Sequence, residues 1–334
     1  MSEPTRPSLR PATRWLYSPA LRSVAACVLI LALGAIFHHR GAFFRLETHK
    51  AALRQTAEYG MMACGMTLVI ISGGIDLAVG SILALSAVLF SLATIHWGWP
   101  AWYAVPATLA IGAGCGLVSG TLAAHLRMQP FIATLAMMVF ARGLAKALSG
   151  GTQVTTAVRN PDGTYRWVDV PQVFYAIKAD LFGTVSMIGV LFLVCAAVTW
   201  LLLARHRWGR ELYAIGGNEE AARLSGVRVV RAKVLAYVAS GVLAAVAGMC
   251  HAAQEEQGNP DAGEGYELIA ISMVVIGGTS LMGGRGGIGL TLLGILTIGY
   301  LDKILSINEV PLAWRLMLTG TIIVVAVLAQ RRPG

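Results

Sequence analysis

Long stretches without any charged residue constrain this fold more than any other feature of the sequence. Nine stretches of 14 to 50 residues contain no Asp, Glu, Lys or Arg: residues 23–39, 59–75, 77–126, 128–141, 181–204, 234–254, 268–284, 286–301 and 316–330. A helix that crosses the hydrocarbon of a bilayer needs about 20 mostly apolar residues. The stretch 77–126 is too long for one such helix, and it divides at residues 96–100, where His-Trp-Gly-Trp-Pro suits a membrane interface. The pattern predicts an all-α, polytopic membrane protein with about ten transmembrane helices.

The overall composition excludes several other classes of protein. Charged residues make up 13% of the chain and hydrophobic residues 56%, whereas a soluble domain has about 25% charged residues. Disordered chains are polar, so disorder is also excluded. The five cysteines are far apart and each lies inside an apolar stretch. They predict buried free thiols rather than a disulfide framework or a metal site.

The distribution of Lys and Arg predicts the orientation in the membrane. With ten helices both termini lie on one side, and that side carries 15 of the 26 basic residues. Basic loops face the cytoplasm, so both termini are expected there. The net charge of +9 is interpreted as a result of this topology, together with contact to anionic lipid headgroups, rather than as a sign of nucleic-acid binding. The 15 residues are Arg6, Arg10, Arg14, Arg22, Arg127, Arg205, Arg207, Arg210, Arg223, Arg228, Arg231, Lys233, Arg285, Arg331 and Arg332.

The sequence predicts one transmembrane domain with two long loops. The domain spans residues 23–330, between cytoplasmic tails at 1–22 and 331–334. An outer loop at 149–183 contains an Asn-Pro-Asp-Gly turn signal at 160–163, followed by a short strand pattern at 165–168. This loop is either a solvated connector or a contact surface for an external partner. A second loop, at 205–233, lies on the cytoplasmic side.

A short helix is predicted inside the cytoplasmic loop, at residues 218–225. Gly216 and Gly217 break the chain before it, and Asn218 can cap its first turn, where two acids favour the helix dipole. A glycine follows its end. A helix this short is marginal alone in water, so it either docks onto its own chain or a partner, or serves as an amphipathic linker. The residues are Asn218, Glu219, Glu220, Ala221, Ala222, Arg223, Leu224, Ser225 and Gly226.

A Gly-Gly-Ile-Asp sequence at 73–76 interrupts the apolar run after residue 59. A carboxylate near hydrocarbon is costly and usually has a partner or a function, and a broken helix is tolerated there only when it is buried in protein or lines a cavity. Asp76 could cap the following helix, contact a polar substrate, or hold a proton or cation. A related Met, Val-Ile, Gly-Gly pattern recurs at 273–287, which indicates two weakly related halves.

Glycines four residues apart, Gly112, Gly116 and Gly120, lie on one face of the fourth predicted helix. This spacing lets helix backbones approach closely, either within the chain or at a subunit contact.

The sequence has no motif for metal binding, nucleotide binding or catalysis. It has no clustered His, Cys or carboxylate with metal-ligand spacing, and none of the five lysines follows a glycine, so a phosphate-binding loop is not expected. No set of acid, base or metal groups predicts an enzyme.

Five stretches, in order, resemble the ribose/xylose/galactose-type permeases of bacterial ABC importers. They are GMTLVIISGGIDLAVGSILALS at 65–86, MQPFIATLAMMVFARGLA at 128–145, the segments 209–249 and 265–287, and the tail through residue 323. The resemblance covers roughly residues 50–330. An acidic segment at 251–261, the Asp302-Lys303 pair and the loop with Trp167 depart from the common pattern, which leaves the sugar open.

The resemblance implies a permease subunit of the bacterial inner membrane that is not itself an enzyme and holds no cofactor. A periplasmic binding protein would deliver a monosaccharide, a pentose or a hexose, and an ABC ATPase subunit would use ATP and Mg. A second permease chain, identical or related, would complete the membrane core. The helix at 218–225 would then be the coupling helix that docks into the ATPase.

The same resemblance implies two further sites. The outer segment 255–267 and the loop 149–183 would face the binding protein, with Glu255, Glu256, Asp261 and Glu264 as docking residues. The candidates for the translocation pathway are Thr67, Ser72, Gly73, Gly74, Asp76 and Ser81. Two alternatives stay open: an ion-coupled secondary transporter with Asp76 as its coupling carboxylate, and an ABC permease for branched-chain amino acids.

Overall fold

The computed structural model describes residues 18–160, 162–181, 183 and 185–330. The tail predictions for residues 1–17 and 331–334 therefore lie outside the described residues. The elements, in chain order, are helices α1 (Pro19–Ile36), α2 (Leu46–Ile71), α3 (Val79–Ser91, continued by a π-helical turn Leu92–His96), α4 (Ala101–Ala124) and α5 (Pro130–Ser149), strands β1 (Ala157–Arg159) and β2 (Tyr165–Trp167), helix α6 (Gln172–Lys178), strands β3 (Asp180–Leu181) and β4 (Val185–Ser186), and helices α7 (Met187–Ala204), α8 (Arg207–Gly217), α9 (Glu219–Leu224), α10 (Val229–Glu255), α11 (Tyr266–Ile276), α12 (Ile288–Ile307) and α13 (Leu312–Gln330). A 3₁₀ turn, Ala42–Phe44, lies between α1 and α2.

The architecture confirms the predicted polytopic helical membrane protein. Among the described residues, six helices are long and apolar enough to cross a membrane: α3 with its π-helical turn, α4, α5, α7, α10 and α12. Helices α1 and α11 contribute shorter apolar segments, Ala20–Ile36 and Tyr266–Ile276. The count of ten transmembrane helices stays a prediction.

Helix α10 lies at the centre of the fold, against α2, α3 and α4. The predicted close packing of Gly112, Gly116 and Gly120 occurs within the chain, on α10. A β-carbon at Gly112 would overlap the Gly241 carbonyl oxygen, and one at Gly116 would overlap the Tyr237 carbonyl oxygen. The two backbones are therefore in direct contact, which no larger residue would allow.

The helices of the fold are interrupted at two places. Helix α2 ends at Ile71 and α3 begins only at Val79. The uncharged stretch 268–284 is helical only to Ile276, so its reading as one continuous span is wrong. Residues 277–287 are irregular because Gly278, Gly283, Gly284, Gly286 and Gly287 have positive φ, a conformation that ends a helix and that glycine adopts at low cost.

The outer loop is more structured than a simple connector. Strands β1 and β2 form an antiparallel hairpin that pairs Ala157 with Trp167, as the turn signal and the strand pattern predict. Helix α6 then stacks Phe174 on Phe90 of α3, with ring centroids 5.2 Å apart. The five cysteines are free, four of them buried and Cys195 half-buried.

Candidate functional site

The short helix predicted at residues 218–225 is present as α9. The Asn218 side chain accepts a hydrogen bond from the Ala221 amide at 2.9 Å, so it caps the helix as expected. Glu219 and Glu220 occupy the first turn, Ser225 follows the last, and Gly226 has a φ of 81°. The predicted boundaries are thus confirmed to within a residue at each end.

The predicted break at Gly216 and Gly217 is wrong. Helix α8 continues through both glycines, and the chain bends only at Asn218. Helix α8 is amphipathic, with Leu212 and Ile215 buried beneath it. Gly216 serves packing there rather than a turn, because a β-carbon on it would overlap the backbone of Ile71 and Gly284, whereas a β-carbon at Gly217 would meet nothing within 4 Å.

One face of α9 is held by its own chain and the rest is exposed. Glu219 accepts hydrogen bonds from Lys233 of α10 at 2.5 Å and from Arg223 at 2.8 Å. The bond from Lys233 is the main reason why the pKa of the Glu219 carboxyl lies below its ordinary value. Ala222 is buried, whereas Leu224 is 82% exposed. Leu224 is therefore the large apolar side chain of α9 that is accessible to a partner.

The end of α8 meets both helix breaks at a cluster that we call the glycine junction, formed by Gly73, Gly216, Gly217, Gly283 and Gly284. A β-carbon at Gly283 would lie 3.0 Å from the Cα of Gly216 and 3.1 Å from the Cα of Gly73. One at Gly284 would lie 2.7 Å from the Gly217 amide nitrogen. Three segments far apart in sequence therefore touch through their backbones.

Two hydrogen bonds reinforce this junction. The Gly284 amide donates to the carbonyl of Ile71, the last residue of α2, at 2.9 Å. The Tyr213 hydroxyl of α8 donates to the Gly286 carbonyl, also at 2.9 Å. The sequence singles out each glycine segment separately, but gives no sign that they meet.

Asp76 is 1% exposed and fully engaged by its own chain. One carboxylate oxygen accepts the Ala78 amide at 3.0 Å, and the other accepts the Ser240 hydroxyl at 2.8 Å. The first bond closes a turn just before α3, whose N-cap residue is Ala78 and has no side-chain cap, so the predicted capping of α3 by Asp76 is wrong. The second ties the break to α10, so Asp76 fixes the position of the turn between α2 and α3.

Most of the predicted pathway residues are buried in this conformation of the single chain. The Thr67 hydroxyl lies within hydrogen-bond distance of both the Ala63 carbonyl and the Thr291 hydroxyl. The Ser72 hydroxyl donates to the Val69 carbonyl. Gly74 and Ser81 are also buried, and only Gly73 is exposed. Their role in translocation stays a prediction.

Next to Gly74 lies a polar group that the sequence analysis did not identify. Tyr237 of α10 is 1% exposed, and its hydroxyl has no hydrogen-bond partner in the part of the chain that the structure describes. A β-carbon at Gly74 would overlap that hydroxyl oxygen. An unpaired buried hydroxyl costs about 1–3 kcal/mol, so this conformation carries a local penalty beside the first helix break.

Two of the four outer acids form ion pairs with lysines of the chain, although one of them, Asp261, stays exposed. Glu256 pairs with Lys178 of α6, and Asp261 pairs with Lys146 of α5 at 2.8 Å. The Lys146 hydrogen bond keeps the pKa of the Asp261 carboxyl below its ordinary value. Glu255 and Glu264 are exposed and stay available to a partner.

The outer segment and the outer loop form one surface. Val154 and Gly258 form an antiparallel bridge, with both hydrogen bonds at 2.8 Å. Arg142 of α5 donates to the carbonyls of Pro260 and Ala262, each at 2.6 Å. The segment is therefore anchored by its backbone, which leaves its exposed acids in fixed positions.

A second buried carboxylate, Glu58 of α2, escaped the sequence analysis. It lies at the edge of an uncharged stretch, where a surface position is the ordinary expectation. In the structure it is buried, accepts a hydrogen bond from Gln254, and lies 3.0 Å from the Nδ1 of His251 on α10. Tyr59 and Tyr266 pack beside it, with ring centroids 4.6 Å apart. An ionisable group inside a transmembrane bundle points to a function by default.

Within the described ranges, no group of three or more His, Cys, Asp or Glu residues could hold a metal ion. The sequence profile of the family described as branched-chain amino acid transport system / permease component matches residues 50–327. The chain belongs to this family. No solved structure matches the chain significantly.

Curated relatives of this permease carry sugar import in their names. The ribose import permease protein of Escherichia coli strain K12 is 38% identical over 312 residues, which are 93% of each chain. That of Bacillus subtilis strain 168 is 40% identical over 286 residues, 84% of this chain and 83% of the relative. The fructose import permease protein of Bifidobacterium longum strain NCC 2705 is 37% identical over 319 residues, 94% and 90% of the two chains. The resemblance to sugar-importer permeases is thereby confirmed.

Proposed function

We propose that this permease is the transmembrane subunit of an ATP-driven importer that carries a monosaccharide, a pentose or a hexose, into the cell. The supporting observation is the 37–40% identity to ribose and fructose import permeases over most of the chain. The family description names branched-chain amino acid transport, but the similar curated proteins are named for sugars. These relatives favour the sugar importer over both alternatives.

The proposed complex has three kinds of partner. A separate ABC ATPase subunit binds ATP and Mg on the cytoplasmic side, and a periplasmic binding protein delivers the sugar. A second permease chain, identical or related, completes the membrane core. The complex lies in the bacterial inner membrane, and the excess of Lys and Arg in the loops on the side of the termini supports a cytoplasmic position for both termini.

Helix α9 would be the contact with the ATPase. Leu224 is available as an apolar anchor, while Glu219 keeps the helix attached to α10 through Lys233. Met282, in the irregular segment after α11, is 87% exposed. Because Gly283 and Gly284 touch the end of α8, Met282 lies near the same end of the molecule and would extend this docking surface.

The glycine junction would carry the movement of α9 to the membrane. Helix α8 leads directly into α9 through Asn218. Its backbone contacts Ile71 at the end of α2, and Gly283 and Gly284 in the irregular segment between α11 and α12, at the two places where the transmembrane helices are broken. A displacement of α9 therefore has to move both breaks or open the junction, because backbone contacts cannot be relieved by a change of rotamer. Nucleotide-driven closure of the ATPase would favour one of two arrangements of these breaks.

The outer surface built by the loop 149–183 and the segment 255–267 would receive the binding protein. Glu255 and Glu264 are exposed there, and exposed acids favour a partner surface with basic groups. Asp261 and Glu256 are paired within the chain and would instead hold the surface in shape.

A pull-down in mild detergent from the native host tests the assembly. We expect a stoichiometric ATPase with two nucleotide-binding domains, and ATP hydrolysis that rises when a sugar-loaded binding protein is added. Hydrolysis that responds to a branched-chain amino acid instead would replace the substrate class. A chain that purifies alone and takes up solute under an ion gradient would overturn the importer and support ion coupling.

A further inference from the structure

A shallow cavity of about 530 Å³ lies between the end of α9 and the start of α10. We call it the arginine cavity. Three arginines, Arg223, Arg228 and Arg231, surround it, and its remaining lining is apolar: Val229, Val230, Val234 and Leu235. A basic rim above an apolar floor is the arrangement that matches an amphiphile with an anionic head.

Two of the three positive charges of this rim are not neutralised by the described part of the chain. Arg223 pairs with Glu219 and Glu220. Arg228 and Arg231 are exposed, and within the described part of the chain neither forms an ion pair. Two guanidinium groups therefore face the cavity without a counterion from the chain, and a phosphate could accept hydrogen bonds from both.

The position of the cavity along α10 fixes the depth at which it lies. The apolar span begins at Val229, the first residue of α10, so the arginines stand at the end of a membrane-crossing helix. Val230 and Leu235 are exposed on its first turns. An acyl chain would cover these side chains, whereas water or a soluble anion would leave them exposed.

We propose that the arginine cavity binds an anionic phospholipid. Arg228 and Arg231 contact the phosphate, and the acyl chain lies along Val234 and Leu235. The positive charge selects against zwitterionic lipids, since each basic residue near an anionic surface adds to the attraction. The apolar floor selects against free phosphate and soluble nucleotides.

The arginine cavity and helix α9 share one residue. Arg223 lines the cavity and also pairs with both acids at the start of α9. A bound anionic head would compete with Glu219 and Glu220 for Arg223. Occupancy of the cavity should therefore change how firmly α9 is held, and with it the basal ATP hydrolysis of the complex.

Native mass spectrometry of the full-length chain in detergent tests the proposal. Phosphatidylglycerol and phosphatidylethanolamine with the same acyl chains are titrated against the wild type, the double variant Arg228→Gln/Arg231→Gln, and the control Arg205→Gln/Arg207→Gln. The control removes two arginines from the same cytoplasmic loop but outside the cavity. We expect the cavity variant to lose roughly 25-fold in affinity for phosphatidylglycerol, since each of the two arginines contributes roughly a fivefold factor. The control should change by less than about twofold.

A second variant, Leu235→Asn, separates a lipid from a free anion. Lipid binding should weaken in this variant, and inorganic phosphate at millimolar concentration should not displace the lipid from the wild type. Displacement by phosphate, or equal loss in the control variant, would overturn the lipid site. Unchanged lipid binding by Arg228→Gln/Arg231→Gln, together with loss of the co-purifying ATPase, would instead assign the cavity to that protein contact.

Discussion

Replacing Gly216 by alanine perturbs the glycine junction with a single methyl group. The added β-carbon would overlap the carbonyl oxygen of Ile71 and the amide nitrogen of Gly284, and it would lie 3.1 Å from the carbonyl carbon of Gly283. These are backbone atoms, so no neighbouring side chain can rotate away. Either α8 moves outward or both helix breaks shift.

The neighbouring position provides a matched control. A β-carbon at Gly217 would have no heavy atom within 4 Å, and Gly217 is exposed at the end of the same helix. Replacing glycine by alanine at a compatible site stabilises a protein by about 0.4–1 kcal/mol through the unfolded state. This contribution largely cancels between the two variants. The difference in stability therefore reports the crowding alone, which costs about 1–3 kcal/mol in a packed core.

Two assays follow from this pair. Thermal unfolding of the purified complex should occur at a lower temperature for Gly216→Ala than for Gly217→Ala. In proteoliposomes, Gly216→Ala should lose sugar uptake by more than tenfold while the ATPase still hydrolyses ATP, because the link between α9 and the breaks is displaced. Equal melting temperatures and equal coupling in the two variants would refute the close contact and its proposed role.

Three further changes test other parts of the structure. Tyr237→Phe removes the unpaired buried hydroxyl, so it should stabilise this conformation by about 1–3 kcal/mol and raise the melting temperature; a lower melting temperature would mean that the hydroxyl has a partner. Glu219→Gln should destabilise the protein at neutral pH, because the bond from Lys233 lowers the pKa of this carboxyl. The Glu219 carboxylate contributes to the free energy of unfolding at pH values above its ordinary pKa of 4.5. This contribution is lost as the pH falls through the lower pKa of the folded state, so the melting temperatures of wild type and variant should converge at acidic pH. The double variant Glu219→Lys/Glu220→Lys should uncouple hydrolysis from transport, and normal sugar-stimulated hydrolysis would contradict the assignment of α9 as the coupling helix.

The positions of the helices follow from the uncharged stretches, because a chain in a bilayer has few other ways to satisfy its backbone. The cap at Asn218 and the role of Gly112, Gly116 and Gly120 also follow from local rules. Each of these features depends on residues close together in sequence. Their side-chain chemistry and spacing are therefore enough to predict them.

The parts that sequence analysis missed depend on contacts between distant segments. Local propensity predicts that Gly216 ends the helix. The helix instead continues through it, and the close approach of Ile71 and Gly284 explains why this position is a glycine. By its position in the sequence Glu58 would lie at the end of a transmembrane helix, and only the packing of α10 brings His251 next to it. Single-sequence patterns contain no information about such pairs, because the pairing is created by packing.

Because of the contact between α4 and α10, these two helices move as one rigid unit. Their backbones touch at the glycines of α4, so neither helix can slide or rotate without the other. Helix α10 has 27 residues and is therefore about 40 Å long at 1.5 Å per residue. Lys233 stands near one end, and His251 and Gln254 stand near the other. A tilt of about 5° about the end that carries Lys233 would displace the other end by about 3.5 Å over that length, enough to break the hydrogen bonds of Glu58 with His251 and Gln254.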